Sequence, residues 1–112
     1  MKSQLDATLR EHGHVLLRDT NFASAEDFHA YTPHIISAPM SYKKGTAERE
    51  LIYENVMNVG YHPNEVIIEQ HNEMSYSDTF PRIIAFGCKV PGGNFSISSN
   101  REFTKNIPQE IK

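Results

Sequence analysis

The sequence is short of the features that settle a protein's class at a glance. It has a single cysteine, Cys88, so no internal disulfide can form, which fits a reducing compartment. No stretch approaches the roughly 20 apolar residues of a membrane span. The opening Met1-Lys2-Ser3-Gln4-Leu5-Asp6 carries a charge but no apolar core of a secretory signal. A soluble cytoplasmic protein is expected. A basic stripe is missing too: 11 Lys and Arg against 14 Asp and Glu give a formal net charge of −3, so a nucleic-acid partner has no electrostatic support. Acidic tails, charge blocks, internal repeats and low-complexity segments are absent. Gly92-Gly93 lacks the lysine and spacing of a phosphate cradle. The Ser96, Ser98 and Ser99 cluster has no histidine in register, so it offers no nucleophile and base pair.

What remains is a chain of 112 residues, 38% hydrophobic, with the bulk of one small domain or half of a larger one. Leu5 and Leu9 have helical spacing, and the pattern stops at Gly13, a residue suited to a helix C-cap. His14-Val15-Leu16-Leu17-Arg18 predicts a short buried strand. Ser24 followed by Glu26 and Asp27 predicts a capped helix with apolar contacts from Phe22, Phe28 and Tyr31, limited by Pro33 and Pro39, before a loop to about Thr46. The β-branched content of Ile52, Val56 and Val59 favours extended structure. Beyond the turn-like residues 60–64, strands are predicted at Val66-Ile67-Ile68, from Pro81 to Cys88 and at Phe95-Ser96-Ile97-Ser98, with Pro91-Gly92-Gly93-Asn94 as a turn. Ser99 and Asn100 start a last helix that ends near Ile107-Pro108. The order is α+β, helices around one strand and then a mainly extended half.

Chemistry concentrates at His71-Asn72-Glu73. In an extended backbone the side chains at i and i+2 share a face, roughly 6.6 Å apart at Cα for about 3.3 Å of rise per residue. One metal ion can take an imidazole nitrogen and a carboxylate oxygen from such a segment. Non-haem Fe(II) oxygenases use two histidines and one carboxylate on one face of the ion, with the remaining positions open. The other histidines, His12, His14, His29, His34 and His62, could in principle supply a third ligand, since imidazole is a common metal donor, and His62 beside Pro63 is expected to be an exposed loop residue. Arg82 and Arg101 are expected to serve packing or a solvated face rather than to anchor an anion. Glu48, Arg49, Glu50 and Glu54 predict a solvated charged face. Phe80, Ile83, Ile84 and Phe86 predict core, and Cys88, in the same apolar run, a buried structural thiol.

The succession Gly13-His14-Val15-Leu16-Leu17-Arg18, His71-Asn72-Glu73-Met74-Ser75-Tyr76, Pro81-Arg82-Ile83-Ile84-Ala85-Phe86-Gly87-Cys88 and Pro91-Gly92-Gly93 resembles the amino-terminal half of the taurine dioxygenase family. Within that family it looks most like the clavaminate-synthase-like and syringomycin-cluster-type hydroxylases. The resemblance runs from about Leu5 to Ile111 and implies an iron(II)- and 2-oxoglutarate-dependent oxygenase. It also implies part of a double-stranded β-helix, or jelly roll, with amino-terminal helices in one domain spanning 1–112. His71 and Glu73 fall on the first histidine and the carboxylate of the iron triad. Asn72 and Tyr76 fall where substrate contacts are expected. The implied reaction is hydroxylation of an amino acid, either free as a small molecule or tethered to a carrier protein.

Three departures stand out. The family's second histidine and its arginine for 2-oxoglutarate belong to a carboxy-terminal half with no counterpart in these 112 residues. The family's Gly-Gly-x-Thr turn is Gly92-Gly93-Asn94-Phe95, which puts Phe95 where a threonine helps hold the co-substrate, and Lys89-Val90-Pro91 before it is shortened. With fewer donors, the chain alone is expected to bind iron and 2-oxoglutarate poorly. An open half jelly roll leaves strand edges and an apolar face uncovered, so association with a second copy or with a complementing second chain is expected, as is the alternative of a non-catalytic interaction domain.

Overall fold

The computed structural model describes residues 1–40, 49–60, 62–63, 65–92 and 94–111. Helix α1 (Lys2–His12) carries Leu5 and Leu9 on one side and a Lys2–Asp6 pair at 3.3 Å one turn apart. It ends where expected. Gly13 takes the left-handed φ of 79° and donates its N–H to the Leu9 carbonyl at 2.8 Å. Arg101, far along the chain, donates to the carbonyl oxygens of Arg10 and of Glu11, the latter at 3.0 Å. Those are orphan acceptors at a helix C-terminus, and Arg101, itself exposed, satisfies them.

Helix α2 (Ala25–Tyr31) begins in a capping box. The Asp27 N–H donates to the Ser24 hydroxyl at 3.1 Å, and the Ser24 N–H donates back to the Asp27 carboxylate at 3.0 Å. Pro33 does not stop the chain outright. It sits early in a 3-10 turn, Thr32–His34, where its missing N–H is not needed. The expected loop runs out of the described residues at 41.

An antiparallel hairpin follows, β1 (Leu51–Tyr53) and β2 (Val56–Met57), pairing Leu51 with Met57 and Tyr53 with Val56. Its two-residue turn requires a positive φ, which Glu54 supplies at 47°. Asn58 extends the hairpin with its N–H to the Glu50 carbonyl and its amide to the Glu50 carboxylate, both 2.9 Å. The hairpin packs on α2, with the His29 and Tyr53 rings edge to face at 5.4 Å. Phe22 and Phe28 stack at 5.2 Å beside α2, and Gly87 lies against them; a Cβ there would stand 3.1 Å from Phe28 Cδ2 and 3.2 Å from Phe22 Cε2. A side chain there would make the two rings give by a few tenths of an ångström. Helix α3 (Asn100–Asn106) starts on the Ser99 cap and stops before Pro108, as its sequence predicts.

Among the described residues the architecture is thus α+β, three helices and one two-stranded antiparallel sheet. The facing sheets of a jelly roll are not formed by them. The segments expected as strands at 14–18, 66–68, 81–88 and 95–98 form no ladder there. β-branched residues favour an extended backbone, but a strand becomes a sheet only against a partner strand. The expected core is corrected by the same fact: Phe80, Ile83, Ile84 and Phe86 are exposed, and so is Cys88, whose thiol reaches only the Val90 carbonyl at 3.4 Å. Consecutive residues Val66, Ile67 and Ile68 are all exposed, Ile67 at 84%, so both faces of that segment lack cover. Among the described residues the buried apolar side chains are Ile35 and Met74.

The surface quantifies this. The chain exposes 9979 Å², whereas a folded monomer of 12.8 kDa exposes about 6,300 Å². Its radius of gyration is 15.7 Å against about 13 Å for a compact chain of this length.

The capping box generates a testable pH dependence. Hydrogen bonds from the Ser24 hydroxyl and the Ala23 N–H hold the Asp27 carboxyl below its ordinary value. A depressed carboxylate stabilises the fold above its unfolded pKa, near 4, and that stabilisation is lost as the pH falls through the folded value. Ser24→Ala should cost α2 about 1 kcal/mol, and Asp27→Asn should flatten the acid limb. Urea midpoints at neutral and acid pH check both, and midpoints equal to wild type at each pH would contradict the cap's role.

Candidate metal-ligating site

The segment before the site is stitched sideways to a later one. The Gln70 side-chain amide donates to the Ser96 hydroxyl at 3.0 Å, the Ser98 hydroxyl donates to the Gln70 side-chain oxygen Oε1, and the Asn100 side-chain amide donates to Asn72 Oδ1 at 2.7 Å. Gln70 and Asn72 therefore face Ser96, Ser98 and Asn100 with the period of two that extended chains have. That alternation leaves His71 and Glu73 on the opposite side.

His71 and Glu73 do face one another. His71 Nε2 stands 4.0 Å from Glu73 Oε2, and His71 Nδ1 lies 2.7 Å from the Glu69 carbonyl. A carbonyl accepts only, so the contact places a proton on Nδ1 and makes Nε2, the nitrogen facing Glu73, the one that would ligate in the neutral ring. This is the second contact by which a ligating histidine is usually oriented. Two donors at about 2.1 Å from one ion, at right angles, are roughly 3 Å apart. The pair must close by about 1 Å, a side-chain adjustment open to His71, whose side chain is 58% exposed. The donor pair fits a divalent cation.

Glu73 has a further partner. Arg49 Nη2 donates to Glu73 Oε1 at 2.9 Å, with side-chain exposures of 25% and 18%. The expectation of a solvated face at Arg49 is thereby corrected. Its charge neighbours Glu50 and Glu54 are exposed, but Arg49 lies at the foot of β1 and turns inward to a carboxylate distant in sequence. No local pattern could have paired them.

After Glu73 the chain turns sharply. Met74 adopts φ of 57°, unfavourable for its side chain, and is 4% exposed. Burial of this side chain offsets that strain and fixes the corner from which Glu73 projects. The Ser75 N–H donates to the Asn72 carbonyl at 3.3 Å and the Ser77 N–H to the Met74 carbonyl at 3.0 Å. Tyr76 sits in this turn and is exposed. Of the residues singled out in the sequence, His71 and Glu73 meet, while the Asn72 amide is engaged by Asn100. His62 is exposed, as expected. Phe95, in place of the family's threonine, packs on Phe86 with ring centroids 5.2 Å apart, and Gly93 lies outside the described residues. Among the described residues no third His, Cys, Asp or Glu joins the pair.

The profile of the taurine catabolism dioxygenase TauD, TfdA family matches residues 1–112. The chain belongs to that family. No curated protein and no solved structure matches it. TauD and TfdA proteins are in general dioxygenases that use Fe(II) and 2-oxoglutarate, so membership gives the chain a dioxygenase-type origin. The clavaminate-synthase-like branch within the family rests on the sequence resemblance alone. No helix among the described residues is long and apolar enough to cross a membrane.

Proposed function

We propose that this chain supplies the histidine and carboxylate half of an Fe(II)- and 2-oxoglutarate-dependent hydroxylase acting on an amino acid, free or tethered to a carrier protein. The observation that carries the reading is the His71 Nε2 to Glu73 Oε2 approach, with the imidazole tautomer fixed by the Glu69 carbonyl. When bound, the ferrous ion and its co-substrate supply oxygen activation and insertion of an oxygen atom into a C–H bond. The chain's own residues bind and orient. His71 and Glu73 hold one face of the ion. Tyr76, exposed on the turn just beyond the dyad, is assigned to the substrate side of the site, whereas the Asn72 side chain is turned to Asn100 on the other face and is left out of that assignment.

Two protein donors hold Fe(II) weakly against water and chelators. The remaining donor and the anchor for 2-oxoglutarate are therefore assigned to a further polypeptide segment that packs against these residues. The exposed area favours association: the excess of about 3,700 Å² over a compact monomer is more than the roughly 1,000 to 2,500 Å² that each partner buries in an obligate interface. The same observation supports a second reading, in which the domain is non-catalytic and serves association alone.

Anaerobic addition of Fe(II) and 2-oxoglutarate separates the two. The hydroxylase reading expects the visible metal-to-ligand charge-transfer band, weak for the chain by itself and absent in His71→Ala. No band with or without a partner leaves the association reading standing. Both readings expect sedimentation that depends on concentration, and a single monomeric species up to high concentration would contradict that association.

A further inference from the structure

Glu73 offers two carboxylate oxygens, and the structure divides them. Oε1 accepts from Arg49 Nη2 at 2.9 Å, while Oε2 faces His71 Nε2 at 4.0 Å. We propose that Arg49 is a positioning residue for the metal dyad: it holds Oε1 so that Glu73 presents one oxygen, Oε2, to a divalent cation shared with His71. The inference rests on the dyad reading above and adds a residue to it.

Placement of Arg49 is built into the fold. The next residue, Glu50, is fixed twice by Asn58, through its carbonyl and its carboxylate at 2.9 Å each, and the hairpin that follows is packed on α2. Arg49 thus reaches Glu73 from a clamped point. On the other side, Met74 sets the corner that aims Glu73. Both side chains of the pair are about three-quarters withdrawn from water, at 25% and 18% exposure, so the contact is better shielded than a surface ion pair. A guanidinium on one oxygen disfavours bidentate ligation by the carboxylate and so favours leaving more positions of the ion for its other ligands.

A bystander role makes the opposite prediction. Arg49 is a cation near a cation site, and if its charge were its only influence, removing it would tighten metal binding. If it positions the carboxylate, removing it weakens binding in spite of the relieved repulsion. The sign of the change therefore decides.

The test is titration of the full chain with Co(II), followed by the visible d–d spectrum and by calorimetry, for wild type, Arg49→Met, Arg49→Lys and His71→Ala. Arg49→Met should bind Co(II) about 10-fold to 100-fold more weakly, the usual loss when the partner of a ligand is removed, with an altered d–d spectrum. Arg49→Lys keeps the charge without the planar fork and should fall between. It also serves if Arg49→Met does not fold, which circular dichroism reports. Tighter or unchanged binding by both Arg49 variants, with the wild-type spectrum, overturns the positioning role while leaving the dyad intact. Wild-type affinity in His71→Ala, or no binding by wild type, overturns the dyad reading and the inference with it.

Discussion

Glu73 is where the structure's demands converge. One oxygen is held by a guanidinium from the foot of the hairpin, the other faces an imidazole two residues back, and the residue after it is buried in a backbone conformation that side chains avoid. Each constraint comes from a different part of the chain. The hairpin fixes Arg49, the Glu69 carbonyl fixes the His71 ring, and Met74 fixes the corner. Were the carboxylate free to swing, none of these could place a donor pair around one ion, since ligation depends on donor positions set within fractions of an ångström.

The rest of the molecule is less finished than its site. Helices satisfy their own hydrogen bonds, so α1, α2 and α3 form with the caps written beside them. Extended segments cannot do so. The apolar runs at 66–68 and 83–86 are straightened by their β-branched residues yet expose alternate side chains on both faces, the state of strands meant to lie between two layers. The side-chain bonds between Gln70, Ser96 and Ser98 and between Asn72 and Asn100 set two such segments side by side without a backbone ladder. A further layer would complete what these contacts begin.

How much of this was legible depended on distance along the chain. Gly13 as a left-handed terminus, Ser24 and Ser99 as caps, and the extended character near Val56 rest on neighbours in sequence, and each is found. His71 and Glu73 were legible because a spacing of two suffices to bring them together. Arg49 was not, since its carboxylate is reached only through the hairpin's placement on α2. Burial failed for a different reason: Phe80, Ile83, Ile84, Phe86 and Cys88 have core composition, but composition tells what a residue prefers and not whether anything covers it.

The most direct test of the account is an anomalous difference map from a crystal of this chain grown with Co(II). The account predicts a peak bridging His71 Nε2 and Glu73 Oε2 at about 2.1 Å from each, with the Arg49 guanidinium still on Glu73 Oε1. A map with no peak at the pair, or with the ion held by other side chains while His71 and Glu73 keep their separation of 4.0 Å, would contradict it.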